Sequence, residues 1–236
     1  MVLYDNMMVL PHTGVAHAYG QNDTMHALLF DLDDTLYDLS LHRRRHLQRA
    51  WHDWLQQLPA HTQHAIIETA VSERIFFRDM PDFLTRHGVS DATENAHLCA
   101  TSRDTWFRDL QLDAGVSDCL DALKSRYRLG LITNGPSWTQ RAKIEQLQLA
   151  RWFEVMIVSE EFGAHKPDAT IFHHALAQLA VTAADAVMIG DNPDADIRGA
   201  HAVGMRAVWI HHPHQTYPDD LAPPWRCVSH VRDLVL

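Results

Sequence analysis

The sequence predicts an α/β fold in which a parallel sheet is interrupted, after its first strand, by an all-helical insertion. Three observations carry this. From about residue 116 onward, short apolar runs alternate with amphipathic helical stretches, the pattern that builds parallel sheets with right-handed crossovers. A lone strand-like run, Ala27-Leu28-Leu29-Phe30, stands far upstream of that series. Between the two, residues 40–115 carry almost no strand signal.

The elements follow in order. Residues 1–24 contain Pro11, Gly14, Gly20, Asn22 and Asp23 with weak periodicity, and lack the basic n-region and apolar stretch of a secretory signal. They are expected to form a loose extension, with Met25 a candidate natural start. A strand is expected over 26–31. Leu41–Leu55 has helical spacing through Leu47, Trp51, Trp54 and Leu55 until Pro59 breaks it. Helices over about 61–77, 80–88 and 91–110 complete the insertion. Then come a helix at 116–126, a strand at 127–133 (YRLGLIT), a helix at 138–149, a strand at 155–159 (VMIVS) and a helix at 169–179. A strand at 186–190 (AVMIG), a helix at 195–203 and a strand at 207–210 (AVWI) follow. The expected division is a core of 25–38 and 113–236 and a helical module of 39–112.

Composition narrows the function. With 30 acidic and 20 basic side chains the formal net charge is −10, and no basic tract points to nucleic acid. Cys99, Cys119 and Cys227 are widely separated. They fit no zinc spacing or disulfide framework, which suits a reducing, cytoplasmic setting. No apolar run approaches the roughly 18 residues of a membrane span. The 18 histidines are scattered and chiefly make the net charge less negative as pH falls through about 6.5. The expected assembly is a monomer or homodimer.

The chemistry is concentrated at strand ends. Asp31-Leu32-Asp33-Asp34-Thr35-Leu36-Tyr37-Asp38 sets four carboxylates at or beyond the end of the first strand. Open α/β sheets bind ligands there. Crowded carboxylates repel, and a hard oxygen-seeking cation such as Mg²⁺ is the natural counter-charge. Thr133-Asn134-Gly135-Pro136 ends a second strand, and Gly190-Asp191-Asn192-Pro193-Asp194-Ala195-Asp196 ends a third. Gly163-Ala164-His165-Lys166-Pro167-Asp168 precedes a helix. Singly, each reads as a cap or turn. Together they place carboxylates, a hydroxyl and one cation on one sheet edge, which suits a phosphate and a metal.

DxDxT at Asp31–Thr35, a strand ending in Thr133, an isolated Lys166 and GDxxxxD at Gly190, Asp191 and Asp196 occur in the order of the haloacid dehalogenase superfamily. The chain resembles that family from about residue 26 to its end. The resemblance implies a Rossmann-like parallel sheet core with an inserted all-helical cap domain, as in subfamily I. Val158-Ser159-Glu160-Glu161, His165-Lys166-Pro167 and the Pro-rich tail with Trp225 further resemble the pyrimidine nucleotidase and N-acylneuraminate-9-phosphatase branches. The family pattern implies that Asp31 is a nucleophile that forms an aspartyl-phosphate, and Asp33 the acid and base. It implies that Thr133, Asn134 and Lys166 hold phosphate. Mg²⁺ would sit on the Asp31 and Asp191 carboxylates and the Asp33 carbonyl, with Asn192 and Asp196 supporting from behind. Dehalogenases of the superfamily lack a carboxylate two residues after the nucleophile, because a halide needs no proton. Asp33 therefore favours a phosphatase acting on a small phosphorylated metabolite, a nucleoside monophosphate or a sugar phosphate. The rivals are a phosphomutase or dehalogenase on the same core, and a non-catalytic phospho-ligand-binding module.

Other features read as structure. Asp34 and Asp38 are expected to be bystanders. Arg43-Arg44-Arg45 could meet an anionic substrate but reads chiefly as a solvated helix face. Trp51 and Trp54 read as cap core. Trp138 fits either the phosphate site or helix packing. His211, His212 and His214 read as loop residues near the sheet edge.

Overall fold

The computed structural model describes residues 25–213 and 215–234. The expectations for residues 1–24 and for His214 lie outside the described residues. Strand β1 (Ala27–Phe30) leads through the acidic loop into five helices: α1 (Leu39–Ala50), α2 (His52–Leu55), α3 (Ala60–Ser72), α4 (Met80–Arg86) and α5 (Ala92–Thr105). The chain continues as α6 (Val116–Lys124), β2 (Arg128–Thr133), α7 (Ser137–Gln146), β3 (Val155–Val158), α8 (Ser159–Phe162) and α9 (Ala169–Gln178). It ends with β4 (Ala186–Gly190), α10 (Arg198–Ala202), β5 (Arg206–Ile210) and β6 (Arg226–Val228).

The strands form one parallel sheet in the order β3-β2-β1-β4-β5-β6. Both faces are covered, which is why the strands read as unbroken apolar runs. Leu28, Phe30, Val187, Ile189, Val208 and Ile210 pack with Leu120, Leu123 and Ile144 of α6 and α7. Leu29, Ala186, Met188 and Ala207 face the other way, onto Ile171, Phe172 and Leu176 of α9 and Ala200 of α10. Among the described residues the first strand is thus an inner strand. The order of connection reverses between β1 and β4, and such a switch point opens a crevice beyond the carboxyl ends of the strands.

Helices α1–α5 enclose a core of their own, with Leu47, Trp51, Trp54, Ile66, Phe83, Leu84 and Leu98. Trp51 stacks on Phe83 at 5.8 Å and donates its indole N–H to Ser102 Oγ at 2.9 Å. The side chains of Asp38 and Asp91 cap α1 and α5, accepting from Leu41 N at 2.6 Å and Glu94 N at 2.7 Å, which satisfies otherwise orphaned donors.

Two expected elements differ, and the sheet gains an edge strand. The helix expected over 41–55 breaks at Trp51, whose φ of −106° leaves the helical region. The helix expected from 195 begins instead with a π turn, Pro193–Ile197, and only then becomes α10. Asn192 Oδ1 accepts from both Asp194 N and Ala195 N at 3.0 Å and sets that wider turn. The edge strand β6 has no counterpart among the expected elements, because Arg226-Cys227-Val228 is short and largely exposed.

Candidate active site

Asp31 leaves β1 with its N–H bonded to Ile189 O at 2.9 Å, so the backbone of β4 fixes where its carboxylate points. Lys166 Nζ donates to Asp31 Oδ1 at 2.5 Å and to Asp196 Oδ1 at 2.6 Å. All three side chains are buried. A buried ammonium is tolerated only with such partners. Burial favours the neutral amine, but Asp196 and Asp31 outweigh it and hold Lys166 protonated, well above its ordinary range. Asp196 is further anchored by Asn192 N, which donates to Oδ2 at 3.0 Å.

Gly190 makes this anchoring possible. A Cβ there would lie 2.2 Å from Asp196 Oδ2, so the carboxylate occupies the space that any other residue would fill. Gly190→Ala is therefore expected to push Asp196 off Lys166 and to lower both melting temperature and activity. The change costs about 1–3 kcal/mol, as overpacking typically does, measurable by urea denaturation.

Asp191 enters from the end of β4. Its Oδ2 accepts from Gln215 Nε2 at 3.0 Å, and its carbonyl from the Trp209 indole at 2.8 Å. Asp31, Asp191 and Asp196 each offer a carboxylate oxygen, and these lie within 4.8 Å of one another. Asp196 already spends both oxygens on Lys166 and Asn192. Among the described residues Asp31 Oδ2 meets only the Thr35 hydroxyl, at a long 3.5 Å, and Asp191 accepts from Gln215 at one oxygen, so these two are the freer carboxylates. Burial, then the charges around it, pushes Asp31 up to about 7 against the pull of Lys166. Burial and repulsion from Asp31, Asp196 and Asp34 push Asp191 up to about 8. Crowded hard oxygen donors whose ionisation is suppressed suit a divalent cation such as Mg²⁺.

Asp33 stands apart from that cluster. Lys143 Nζ of α7 donates to both its oxygens at 2.7 Å, Gln140 Nε2 donates to Oδ2 at 3.1 Å, and the Tyr37 hydroxyl donates to Oδ1. Burial pushes the Asp33 carboxyl up, but Lys143, Tyr37 and Gln140 together hold it below its ordinary value. Gln140 Nε2 also donates to Thr133 Oγ1 and, at 3.2 Å, to Asn134 O. Asn134 clamps the lysine loop reciprocally, donating to Lys166 O at 3.0 Å and accepting from Lys166 N at 2.9 Å.

A cavity of about 320 Å³ joins these groups; its lining includes Asp31, Asp33, Asn134, Lys166, Asp191 and Asp196, with Arg74 from the helical block. Asn192 lines it as well, whereas Thr133 is buried with its hydroxyl on Gln140. Asp31, Asp33, Thr133, Asn134, Lys166, Asp191, Asn192 and Asp196, the residues to which the resemblance gives site roles, meet here. Lys143, Gln140, Gln215 and Arg74 were not singled out. A lysine or arginine in a helical block reads as solvated, and Gln215 sits in a loop without pattern.

The profile of the haloacid dehalogenase-like hydrolases matches residues 25–204. The chain belongs to that family. A pyrimidine 5'-nucleotidase of Escherichia coli is 34% identical over 121 residues, 51% of this chain but only 53% of that protein. The N-acylneuraminate-9-phosphatase of Rattus norvegicus is 31% identical over 205 residues, 78% of this chain and 82% of that one. The magnesium-bound structure of the HAD hydrolase YfnB of Bacillus subtilis superposes with a TM-score of 0.66 at 24% identity, covering 87% of this chain and 95% of that one. That likeness speaks for the fold.

Around the site of this HAD-like hydrolase, the arginine run divides. Arg43 is buried, contrary to the solvated face expected for it, and its guanidinium lies 5.8 Å from the Trp106 ring centre. Its Nε has no hydrogen-bond partner among the described residues. Arg44 pairs with Glu68 at 2.7 Å, and Arg45 is exposed. Trp51 and Trp54 lie in the helical core as expected. Trp138 of α7 is half exposed and meets Phe76 and Phe77 at 6.1 and 5.8 Å, joining the sheet domain to the loop after α3. His212 Nε2 donates to Asp34 O at 2.6 Å, so this loop histidine steadies the acidic turn, where Asp34 adopts a left-handed φ of 57°. His211 rests on the Trp209 ring at 4.6 Å. Among the described residues no helix is long and apolar enough to cross a membrane.

Proposed function

We propose that this hydrolase is a Mg²⁺-dependent phosphatase that cleaves a small phosphomonoester through an aspartyl-phosphate. The observation that carries the reading is that Asp33 lines the same cavity as Asp31. An ester oxygen leaves as an alkoxide unless protonated, and in this reading Asp33 supplies that proton. Asp31 attacks phosphorus as the ester P–O bond breaks, and Asp33, ionised against Lys143 until it takes the acidic proton of the incoming monoester, passes that proton to the departing oxygen. Asp33 then takes a proton from water, which attacks the phosphorus of the aspartyl-phosphate and frees Asp31 and inorganic phosphate. Lys166 and Asn134, with Thr133 behind them, hold the phosphate oxygens, and positioning plus charge supplies most of the catalysis. Mg²⁺ on the Asp31 and Asp191 carboxylates and the Asp33 carbonyl would offset the charge of an anionic nucleophile facing an anionic substrate.

Residues 39–112 serve in this reading as a cap that excludes water, with Arg74 its cation at the cavity. The substrate class is a nucleoside monophosphate or a sugar phosphate, the two kinds of ester suggested by the relatives named above. The deciding experiment is phosphate release from a panel of both classes with Mg²⁺ present. A mutase would return an isomeric ester and no phosphate, and would overturn the reading.

Removing the metal tests the acidic cluster separately. EDTA should silence the enzyme and excess Mg²⁺ restore it. The sign of the pH effect follows from the raised carboxyls. The unfolded chain ionises Asp31 and Asp191 near their ordinary 3.8, whereas the metal-free folded protein does so only near 7 and 8. Between those limits the folded state binds more protons, so this contribution to stability falls as pH rises from about 4 to 8. Mg²⁺ should therefore raise the melting temperature more at pH 8 than at pH 6. An equal rise at both would contradict binding at these carboxylates.

A further inference from the structure

The side chain of Lys143 is buried, with only 5% of its surface exposed. Among the described residues its one carboxylate partner is Asp33, reached by Nζ at 2.7 Å to each oxygen. The carboxylate it holds is one that lines the reaction cavity. Gln140 stands one helical turn earlier on the same face of α7, at the i, i+3 spacing that brings side chains together. Its amide reaches Asp33, Thr133 and the Asn134 carbonyl. From the other side, Tyr37 donates to Asp33. Four donor contacts thus meet two carboxylate oxygens, which have about four lone-pair positions between them. The orientation of Asp33 is over-determined, and a leaving-group oxygen can be met only by exchange for one of these contacts.

We propose that Lys143, assisted by Gln140, is a positioning residue that holds the Asp33 carboxylate in register with the phosphate-binding strand end, so that one face of α7 aligns the proton donor with the phosphoryl group. This rests on the phosphatase reading and deepens it. A positioned proton donor matters in proportion to the basicity of the departing oxygen. An aliphatic alcohol leaves poorly without a proton, whereas p-nitrophenolate leaves well without one. The quantity to read is kcat/KM, which reports the step in which the ester bond breaks.

The test compares an alkyl phosphomonoester with p-nitrophenyl phosphate in the full chain with Mg²⁺. In Lys143→Met, kcat/KM for the alkyl ester should fall at least about 10-fold further than for p-nitrophenyl phosphate, part of the ~10²–10⁴ that general acid catalysis supplies. Lys143→Arg should recover part of the difference. Asp33→Asn gives the reference pattern, a larger change in the same ratio. Equal losses on both esters, or no loss on either, would overturn the proposal and leave a structural ion pair. If Lys143→Met does not fold, Gln140→Leu carries the test, with a smaller shift of the same ratio expected and an unmoved ratio counting against it. If the unsubstituted protein releases phosphate from neither ester, the phosphatase reading falls and the proposal with it. If it hydrolyses both and the ratio does not move, only the proposal falls.

Discussion

Replacing Asp31 with asparagine should take phosphate release to the background of the assay while the protein melts close to its native temperature. The two side chains have the same shape, and the amide oxygen can still accept from Lys166 Nζ, now 2.5 Å from Oδ1. What disappears is the proposed nucleophile, because an amide does not form a phosphoryl bond that water then cleaves. The fold should tolerate the change because burial already disfavours the charged form of Asp31, pushing it up to about 7. Phosphate release and a circular-dichroism melt, run on the same preparation, separate the two expectations. Normal turnover in Asp31→Asn would remove the aspartyl-phosphate mechanism. A large fall in melting temperature would show that the carboxylate is needed for the fold itself.

Lys166→Met should damage stability as well as activity. The lysine side chain is 2% exposed and is sandwiched between Asp31 and Asp196. Methionine fills similar volume but leaves two buried carboxylates facing each other. Removing one partner of a buried ionic group costs about 3–5 kcal/mol, because the remaining charge is stranded. Urea denaturation should show that loss, and phosphate release should fall to background. Adding Asp196→Asn to Lys166→Met should recover part of the stability and none of the activity. If the single variant is as stable as the native protein, the ionic triad is not what holds the lysine loop against the sheet.

The site was legible where chemistry and topology coincide. Asp31, Thr133 and Asp191 each follow an apolar run, and those runs are recognisable because β1, β2 and β4 are buried on both faces. Lys166 and Asp196 were found through motif order, since neither sits on a strand. Lys143 could not be found this way. A lysine three residues after a glutamine in a helix reads as solvent-facing, and only the packing of α7 under the acidic loop turns it inward. Arg43 failed for the same reason, lying on a helix whose apolar spacing is carried by neighbouring histidines, His42 and His46, as well as by Leu47. The edge strand β6 escaped because Arg226-Cys227-Val228 lies at the margin and buries little.

The inner position of β1 also has a temporal consequence. Its neighbours on both sides, β2 and β4, come from the far side of the helical block in sequence. During synthesis Asp31 therefore emerges long before anything that can pair with its strand. The helices α1–α5 can collapse on their own tryptophan-rich core while β1 waits as an unpaired apolar segment. Such exposed strands are the usual liability of non-local parallel sheets, which close slowly. The acidic residues that follow β1 place charge next to that segment, the kind of flank that discourages a waiting strand from pairing with another chain. Asp31 and Asp33 would then guard the nascent protein before they line the proposed site.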